Sequence, residues 1–329
     1  MDLFVSVVIP TYNRSTKLSL CLISLFNQTY PKDMYEIIII NDGSIDNTED
    51  ILKKFEMQAL CGFKWFTQEN QGIAIATNSA ISRSKGDIIC FTGDDCIAEI
   101  DWISNLVNGF NDENIGAVGG KVISYQSNTL IQQFIEDSRI LNQETFFKRN
   151  TLITGSAAYR RKVLVQIGGL DNHLNACIDL DLSIKTQLLG YKLQYVPDAV
   201  VHHDHPATVK GLFSQQYRNG TGYVRLHRKY GQQYNLAYNT GIYWGRILIS
   251  LLRYPYTLIT ALVFKKNKYF VLEPLYYAIY YGAFSRGVIW ETLRGKEYRG
   301  HPVQSRINYI QFMENKPISS LWKKILKWR

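Results

Sequence analysis

Gly86-Asp87-Ile88-Ile89-Cys90-Phe91-Thr92-Gly93-Asp94-Asp95 decides how the rest of this 329-residue chain is read. Asp87–Thr92 is an unbroken β-rich run, the pattern of a strand covered on both faces, and it stops at two adjacent carboxylates. The same design occurs twice upstream. Phe4–Ile9 runs through Pro10 into the polar loop Thr11-Tyr12-Asn13-Arg14, and Tyr35–Ile40 runs into Asn41-Asp42-Gly43-Ser44. Helical patterns separate these strands. Ser15–Asn27 carries Leu18, Cys21, Leu22 and Leu25 on one stripe, Asp46–Met57 has acids in its first turns, and Gly72–Ser84 is rich in small residues. Phe63–Thr67 adds a short strand. Alternating strands and helices predict an α/β fold with a mostly parallel, Rossmann-like sheet flanked by helices and joined by right-handed crossovers. Ligands of such sheets bind beyond the carboxyl ends of the strands, which is where Thr11–Arg14, Asp42–Asp46 and Asp94–Asp95 fall.

The pattern loosens downstream. Trp102–Phe110 and Leu130–Asn142 read as helices and Ala117–Ile123 as a strand. Thr154-Gly155-Ser156 precedes a basic Arg160-Arg161-Lys162 turn. Asp179–Leu189 is a helix closed by Gly190. Lys192–Val196 is a strand, and Val200-Val201 leads into His202-His203-Asp204-His205.

Charge divides the chain at about residue 205. Residues 1–205 hold 17 Lys and Arg against 24 Asp and Glu; residues 206–329 hold 20 against 4. The expected organisation is therefore a ligand-binding α/β unit over 1–205 and a helical, basic, aromatic region over 206–329. Gly241–Phe264 and Phe270–Trp290 are strongly apolar, but Arg246, Arg253, Glu273 and Arg286 interrupt them. No uncharged apolar run reaches 18 residues, so helices lying in a membrane interface are favoured over a spanning helix. Lys265-Lys266, Lys268, Lys323-Lys324, Lys327 and Arg329, beside Trp322, Trp328 and many tyrosines, suit an anionic headgroup region. A basic solvated surface is the plainer alternative, and nucleic acid ranks lower because the apolar stretches are long. The five cysteines include no CxxC pair, which fits a reducing compartment and argues against a thiolate zinc site. The start, Met1-Asp2-Leu3-Phe4, lacks the basic n-region of a signal peptide.

The carboxylates carry the chemical reading. Asp94 and Asp95 can hold Mg²⁺ or Mn²⁺ together with substrate phosphates, or they form an acidic turn. Asp42 can accept hydrogen bonds from a base or ribose, or it belongs to turn chemistry followed by a cap at Asp46. Asp179 and Asp181 begin a helix-like segment, where one could be a base or both could cap the helix and offset its dipole. His203 and His205 follow a strand, where a neutral imidazole can complete a metal site or serve only as a structural or surface residue.

Taken together, the ordered segments Val5–Arg14, Asn41–Thr48, Gly86–Asp95, Gly168–Asp171, Asp179–Ser183, Gly190-Tyr191 and Val196–Val201 resemble the inverting glycosyltransferase family 2, over roughly residues 4–225. The resemblance implies a GT-A fold and transfer of a single sugar from a nucleotide-sugar donor, UDP by default, to a hydroxyl acceptor on a glycan or lipid-linked glycan. It implies that Thr11 and Tyr12 line the base pocket with Asp42 on the base, and that Pro10, Asn13, Arg14, Gly72 and Asn78 also belong to the donor site. Asp94 and Asp95 would form the Mn²⁺ or Mg²⁺ and ribose site with His203, and Gly155 and Ser156 the loop between donor and acceptor. Asp179 would be the general base. The chain departs from the family pattern at Gly93, at Ile178 and at Thr77, where acid, acid and Arg are common, and it lacks the Gln-x-x-Arg-Trp motif of polymerising members: Gln215-Gln216-Tyr217-Arg218-Asn219 is only loosely similar. The expected location is cytoplasmic, peripheral on the inner face of the cell membrane. Two rivals remain at this stage: a nucleotidyltransferase, for which the glycine-free loop Thr11–Arg14 is the wrong phosphate cradle, and a non-catalytic membrane-docking homologue.

Overall fold

The computed structural model describes residues 3–234 and 240–294. Lys323, Lys324, Lys327, Arg329, Trp322 and Trp328, part of the expected basic and aromatic surface, lie outside the described residues.

Eight strands form one sheet: β1 (Val5–Thr11), β2 (Tyr35–Asn41), β3 (Gly62–Thr67), β4 (Ile88–Thr92), β5 (Cys96–Ala98), β6 (Ile115–Ser124), β7 (Ser156–Arg160) and β8 (Lys192–His203). Their order is β3-β2-β1-β4-β7-β6-β8-β5. The β3-β2-β1-β4 block is parallel throughout, and β6 pairs with β8 in parallel. β7 runs antiparallel to both β4 and β6 and joins the two blocks. The sheet is therefore mixed with a parallel majority, as the alternating pattern predicts for its first half.

The helices are α1 (Ser15–Phe26), α2 (Thr48–Glu56), α3 (Ile73–Arg83), α4 (Trp102–Asn108), α5 (Leu130–Asp137), α6 (Gln143–Phe147), α7 (Arg161–Gln166), α8 (Ile178–Leu188), α9 (Val209–Tyr234), α10 (Thr240–Phe264) and α11 (Lys268–Leu293). The strands alternate between two apolar layers. Val5, Val7, Ile9, Ile37 and Ile39 pack under α1 and α4, while Val8, Ile38, Ile40, Ile89 and Tyr159 pack under α3 and α8. Burying each such side chain is worth about 1.5–3 kcal/mol, and burial on both faces is why these runs lack polar alternation.

Three sequence expectations are corrected here. The tract around Ser156 is not a loop: Ser156–Arg160 is the central antiparallel strand β7, too short and too rich in alanine to show a periodicity. The two short runs at Lys192–Val196 and Val200-Val201 are one strand, because Gly120 pairs with Val196 and Lys121 with Val200, and the intervening Pro197-Asp198-Ala199 is accommodated as an irregularity. The helix expected over Leu130–Asn142 stops at Asp137 as α5: Arg139 follows in the left-handed region at φ 51°, and Asn142 caps a separate short helix, α6.

The C-terminal helices attach through α9. Gly222 lies against the Ala176 backbone, and a Cβ at Gly220 or Gly287 would stand 2.2 Å from the carbonyl oxygens of Phe284 or Tyr217. The α9–α11 contact is thus backbone to backbone and admits glycine only. α10 packs on α11, and its two arginines meet that helix: Arg246 Nη1 donates to Tyr281 Oη at 3.1 Å, and the half-exposed Arg253 pairs with Glu273 at 3.2 Å. Its other face, including Leu248, Leu252, Tyr256, Ile259, Leu262 and Phe264, is exposed. Gly241–Phe264 is long and apolar enough to cross a membrane by length and composition, with mean hydropathy 1.7 and 11% of the apolar window buried. A count of uncharged residues along the sequence misses this, because both arginines leave the apolar face.

Candidate functional site

The direction of each strand decides what meets at the site. β1, β2, β3, β4, β6 and β8 all end at one edge of the sheet, and the reversed β7 begins there. Thr11, Asp42, Asp94, Asp95, Gly155 and His203 consequently share that edge. α8 returns from it: Thr186 and Tyr191, at and beyond its far end, pack on Gly116 at the start of β6. An 11-residue helix is about 16 Å long, so Asp179 at the start of α8 lies at the same edge as the strand ends.

Asp94 is buried and Asp95 nearly so. Thr11 Oγ1 donates to Asp94 Oδ2 at 2.8 Å, and Arg14 Nη1 donates to Asp94 Oδ1 at 2.9 Å and to Asp95 Oδ2 at 2.7 Å. Burial and the neighbouring Asp95 charge raise the Asp94 pKa against the pull of Arg14 and Thr11. At Asp95 burial acts in the same upward sense, but His203, Arg14 and Lys17 outweigh it and hold the carboxyl below its ordinary range. His203 Nε2 is 3.6 Å from Asp95 Oδ1, and His203 Nδ1 lies 3.0 Å from His205 Nδ1. Burial, then His203, lowers the His205 pKa to about 4. A neutral His205 thus engages one nitrogen of His203 and leaves the other turned toward Asp95, the usual way a second residue orients a metal-binding imidazole.

The donor set fits a hard divalent cation. Ligand atoms of Asp95, Cys96 and His203 lie within 4.8 Å of one another. Burial and the Asp95 charge push the Cys96 thiol far up, so it stays protonated and is a poor ligand. Carboxylate oxygen and imidazole nitrogen remain, which suits Mn²⁺ or Mg²⁺ completed by phosphate and water. Gly93 accounts for one departure noted in the sequence: a Cβ there would stand 2.5 Å from Asp95 Oδ1 and displace that carboxylate.

The loop before α1 is tied to the loop after β2. Asn13, left-handed at φ 52°, takes a hydrogen bond from Ile45 N on its side chain at 2.8 Å and donates its own N–H to Ser44 Oγ at 2.9 Å, while Ser15 N donates to Asp46 Oδ2 at 3.0 Å. Pro10 is half-buried and Tyr12 exposed beside it. Asp42 Oδ1 accepts from Gln68 Nε2 at 2.8 Å and Gln71 N at 3.0 Å, and Oδ2 accepts from Gly72 N at 2.8 Å. Gly72 takes φ 91°, which a side chain would strain. Asp42 therefore builds the loop that opens α3 and retains acceptor capacity beyond those three donors.

Two expected site residues are structural. The Ser156 hydroxyl is fully buried, accepting from Trp102 Nε1 at 2.9 Å and donating to Ala199 O at 3.3 Å, so it cannot meet a ligand; Gly155 is the member of that pair at the edge, with its carbonyl accepting from Thr92 Oγ1 at 3.1 Å. Asn78 engages its amide with Leu170 and Asn172, each contact at 2.8 Å, and pins the Gly168–Asn172 loop. Thr77 is buried and its hydroxyl is spent on Ile73 O within α3.

At Asp179, burial raises the carboxyl pKa, opposed by the Leu180 N–H at 3.0 Å. The preceding Cys177 is left-handed at φ 60°, a conformation that costs a non-glycine residue on the order of 1–2 kcal/mol and often marks a functional turn. Ile178 faces the apolar core, which is why an acid is absent there. α9 closes the rim: Cys177 Sγ lies 3.8 Å from Asn219 O, and the adjacent Arg218 guanidinium feels Arg14, its pKa lowered by burial and by that like charge. Behind the rim, Asp181 is fully buried against Lys229 at 2.7 Å, Lys185 at 3.1 Å and Tyr230 Oη at 2.6 Å, and Lys229 also pairs with Asp171 at 2.6 Å. Arg218 and the lysines of this cluster, Lys185 and Lys229, are the residues sequence reasoning missed; only the Gln215–Asn219 tract offered a signal for the first.

Comparison with known proteins bears on this site. Residues 6–168 match the family model described as Glycosyl transferase family 2, and residues 88–289 match that of Glycosyl transferase family group 2. The chain is 30% identical over 226 residues to the glycosyltransferase AglE of Haloferax volcanii, covering 68% of this chain and 74% of that one. It is 27% identical over 243 residues to a dolichyl N-acetyl-alpha-D-glucosaminyl phosphate glucuronosyltransferase of Methanococcus voltae, covering 69% and 74%. In structure it is similar to the mannosyltransferase PcManGT of Pyrobaculum calidifontis, solved in complex with GDP-Man and Mn²⁺, with a TM-score of 0.67 at 18% identity over 90% of this chain and 89% of that one.

Proposed function

The chain belongs to glycosyltransferase family 2, and from that premise we propose that it transfers one sugar, with inversion, from a nucleoside-diphosphate sugar to a hydroxyl of a glycan or lipid-linked glycan. The observation that carries this reading is the shared edge: the Asp94–Asp95 pair follows β4 and the half-buried Asp179, a carboxylate whose burial raises its proton affinity, opens α8 at the same edge of the sheet. Asp179 takes the proton of the acceptor hydroxyl. The freed oxygen forms the new bond to the anomeric carbon, and the bond to the diphosphate oxygen breaks with its electron pair leaving on the nucleotide. Asp95, Asp94 and His203 would hold a divalent cation, which when bound neutralises the departing diphosphate. Thr11, Tyr12 and Asp42 flank the nucleotide, and Asn13 and Ser15 hold their loop against the Asp42–Asp46 segment. The glycosyltransferase assignment sets aside a nucleotidyltransferase.

The region after residue 205 is read as holding the enzyme at the cytoplasmic face of a membrane. The exposed face of α10 supports this, since each large apolar side chain removed from water gains about 1.5–3 kcal/mol, and Lys265, Lys266 and Lys268 lie at its end, where anionic headgroups would attract them. The named acceptor of the Methanococcus voltae relative, a dolichyl-linked sugar phosphate, is of the kind such a location would serve.

A screen of UDP- and GDP-sugars reading free nucleoside diphosphate, with and without a lipid-linked acceptor, tests the donor and the reaction. Asp179→Asn is expected to lower turnover by a factor of at least about 10³ while sparing nucleotide binding. Full turnover in that variant would overturn the base assignment. Excess EDTA is expected to stop transfer and added Mn²⁺ to restore it; undiminished activity in EDTA would remove the metal from the reading.

A further inference from the structure

Arg14 occupies an unusual position for a donor-site residue. One nitrogen, Nη1, bridges both carboxylates of the metal candidate, at 2.9 Å from Asp94 Oδ1 and 2.7 Å from Asp95 Oδ2. Two adjacent buried carboxylates repel each other, and a single bridging cation relieves that repulsion. The guanidinium thus stands where it can perform the neutralising task of a divalent ion. Its backbone is fixed, because Asn13 and Ser15 on either side are bonded to the Ser44–Asp46 loop, but its side chain is 45% exposed and can swing. Nearby Arg218 adds a second positive charge, with no carboxylate paired to it among the described residues.

Building on the metal and donor reading above, we propose that Arg14 is a resident counter-ion that an incoming divalent cation must displace, and that the donor's diphosphate receives the displaced guanidinium. Cation and nucleotide then bind cooperatively. A bare cation has to break the Arg14 bridge and leave a guanidinium without a partner beside Arg218. A cation arriving with a diphosphate supplies that partner. The coupling is reciprocal, so the nucleotide should also bind weakly without the metal. Apparent affinity for the bare cation falls by the fraction of chains whose carboxylates are free of Arg14.

The test is Mn²⁺ titration of the full chain at physiological salt, read by the electron paramagnetic resonance of free Mn²⁺, alone and with saturating UDP or GDP. In the unaltered protein nucleotide should tighten Mn²⁺ by about tenfold or more. Arg14→Ala should bind bare Mn²⁺ about tenfold tighter, and the tightening by nucleotide should shrink to about threefold or less. Arg14→Lys, which keeps the charge, should stay close to the unaltered protein. Removing any nearby positive charge raises cation affinity somewhat, so Lys17→Ala is the control: Lys17 also acts on Asp95 but is paired with Asp204 at 2.8 Å, and its loss should change bare Mn²⁺ binding by no more than about threefold and leave the nucleotide effect intact. Equal gains in Arg14→Ala and Lys17→Ala, or no gain in Arg14→Ala, overturn the counter-ion. If neither the unaltered protein nor Arg14→Ala takes up Mn²⁺ with any nucleotide, the metal site itself falls, and the counter-ion with it.

Discussion

Among single residues, Asp179 makes the sharpest statement about pH. Its carboxyl is raised by burial, and a general base works only when deprotonated. The acid limb of kcat/KM should therefore bend above the ordinary aspartate value of about 3.9, and activity should rise as pH climbs through that bend. The same shift enters stability with the opposite sense: a carboxyl raised by folding favours the folded state at low pH and loses that contribution as pH rises through its folded value. A pH–rate profile that stays flat down to pH ~4 would count against Asp179 as the base. The sequence made this residue visible only through resemblance, since an Asp at a helix start is equally an N-cap. Nor can periodicity say where that helix starts in space; the packing of Thr186 and Tyr191 on Gly116 does, by fixing which way α8 points. Ser156 is the reverse case. In sequence it looks like part of a polar loop beside a glycine, and only the tertiary contact with Trp102 reveals a buried hydroxyl.

Between elements, two seams hold α9, one ionic and one glycine-lined. The ionic seam ties α9 to α8 through Asp181, Lys185, Lys229 and Asp171. Removing one partner of a buried ion pair costs about 3–5 kcal/mol. Lys229→Met should lower the stability of the chain by that order in urea denaturation, and a double change with Asp181→Leu should recover part of the loss. The glycine seam joins α9 to α11. Gly287→Val would drive a side chain into the Tyr217 carbonyl, so this variant should separate α10 and α11 from the catalytic unit, seen as new protease cleavage after residue 209 with the α/β unit still intact. Neither seam was legible in the sequence. The glycines sit in long aromatic helices with no motif, and the acids and lysines of the ionic seam lie up to 58 residues apart. By contrast, the strands β1, β2 and β4 were legible almost to the residue, because a strand buried on both faces leaves a continuous apolar run.

At the scale of the molecule, an α/β enzyme with an acidic sequence is coupled to a basic helical region that presents an uncharged apolar face along α10. The full chain should float with anionic liposomes at low salt. Leu252→Asp with Ile259→Asp should abolish flotation and leave nucleotide binding unchanged, whereas a polar α10 face that still floats would remove the membrane role. The division of charge was plain in the sequence; the turning of Arg246 and Arg253 toward α11 was not, because it depends on which partner each face of the helix finds. The reversed strand β7 carries a different lesson, about how the chain comes to be folded. β4 pairs with a segment that follows it by about 70 residues, Ile88 with Arg160, and that segment alone bridges the two parallel blocks. During synthesis the first block can assemble on local connections, but its open edge at β4 must wait for the bridge to emerge. Distant pairings of this kind are the slow ones, so β7 should be among the last strands to gain amide-exchange protection, and a nascent chain stalled before residue 156 should depend on chaperones to keep that edge from pairing with another copy.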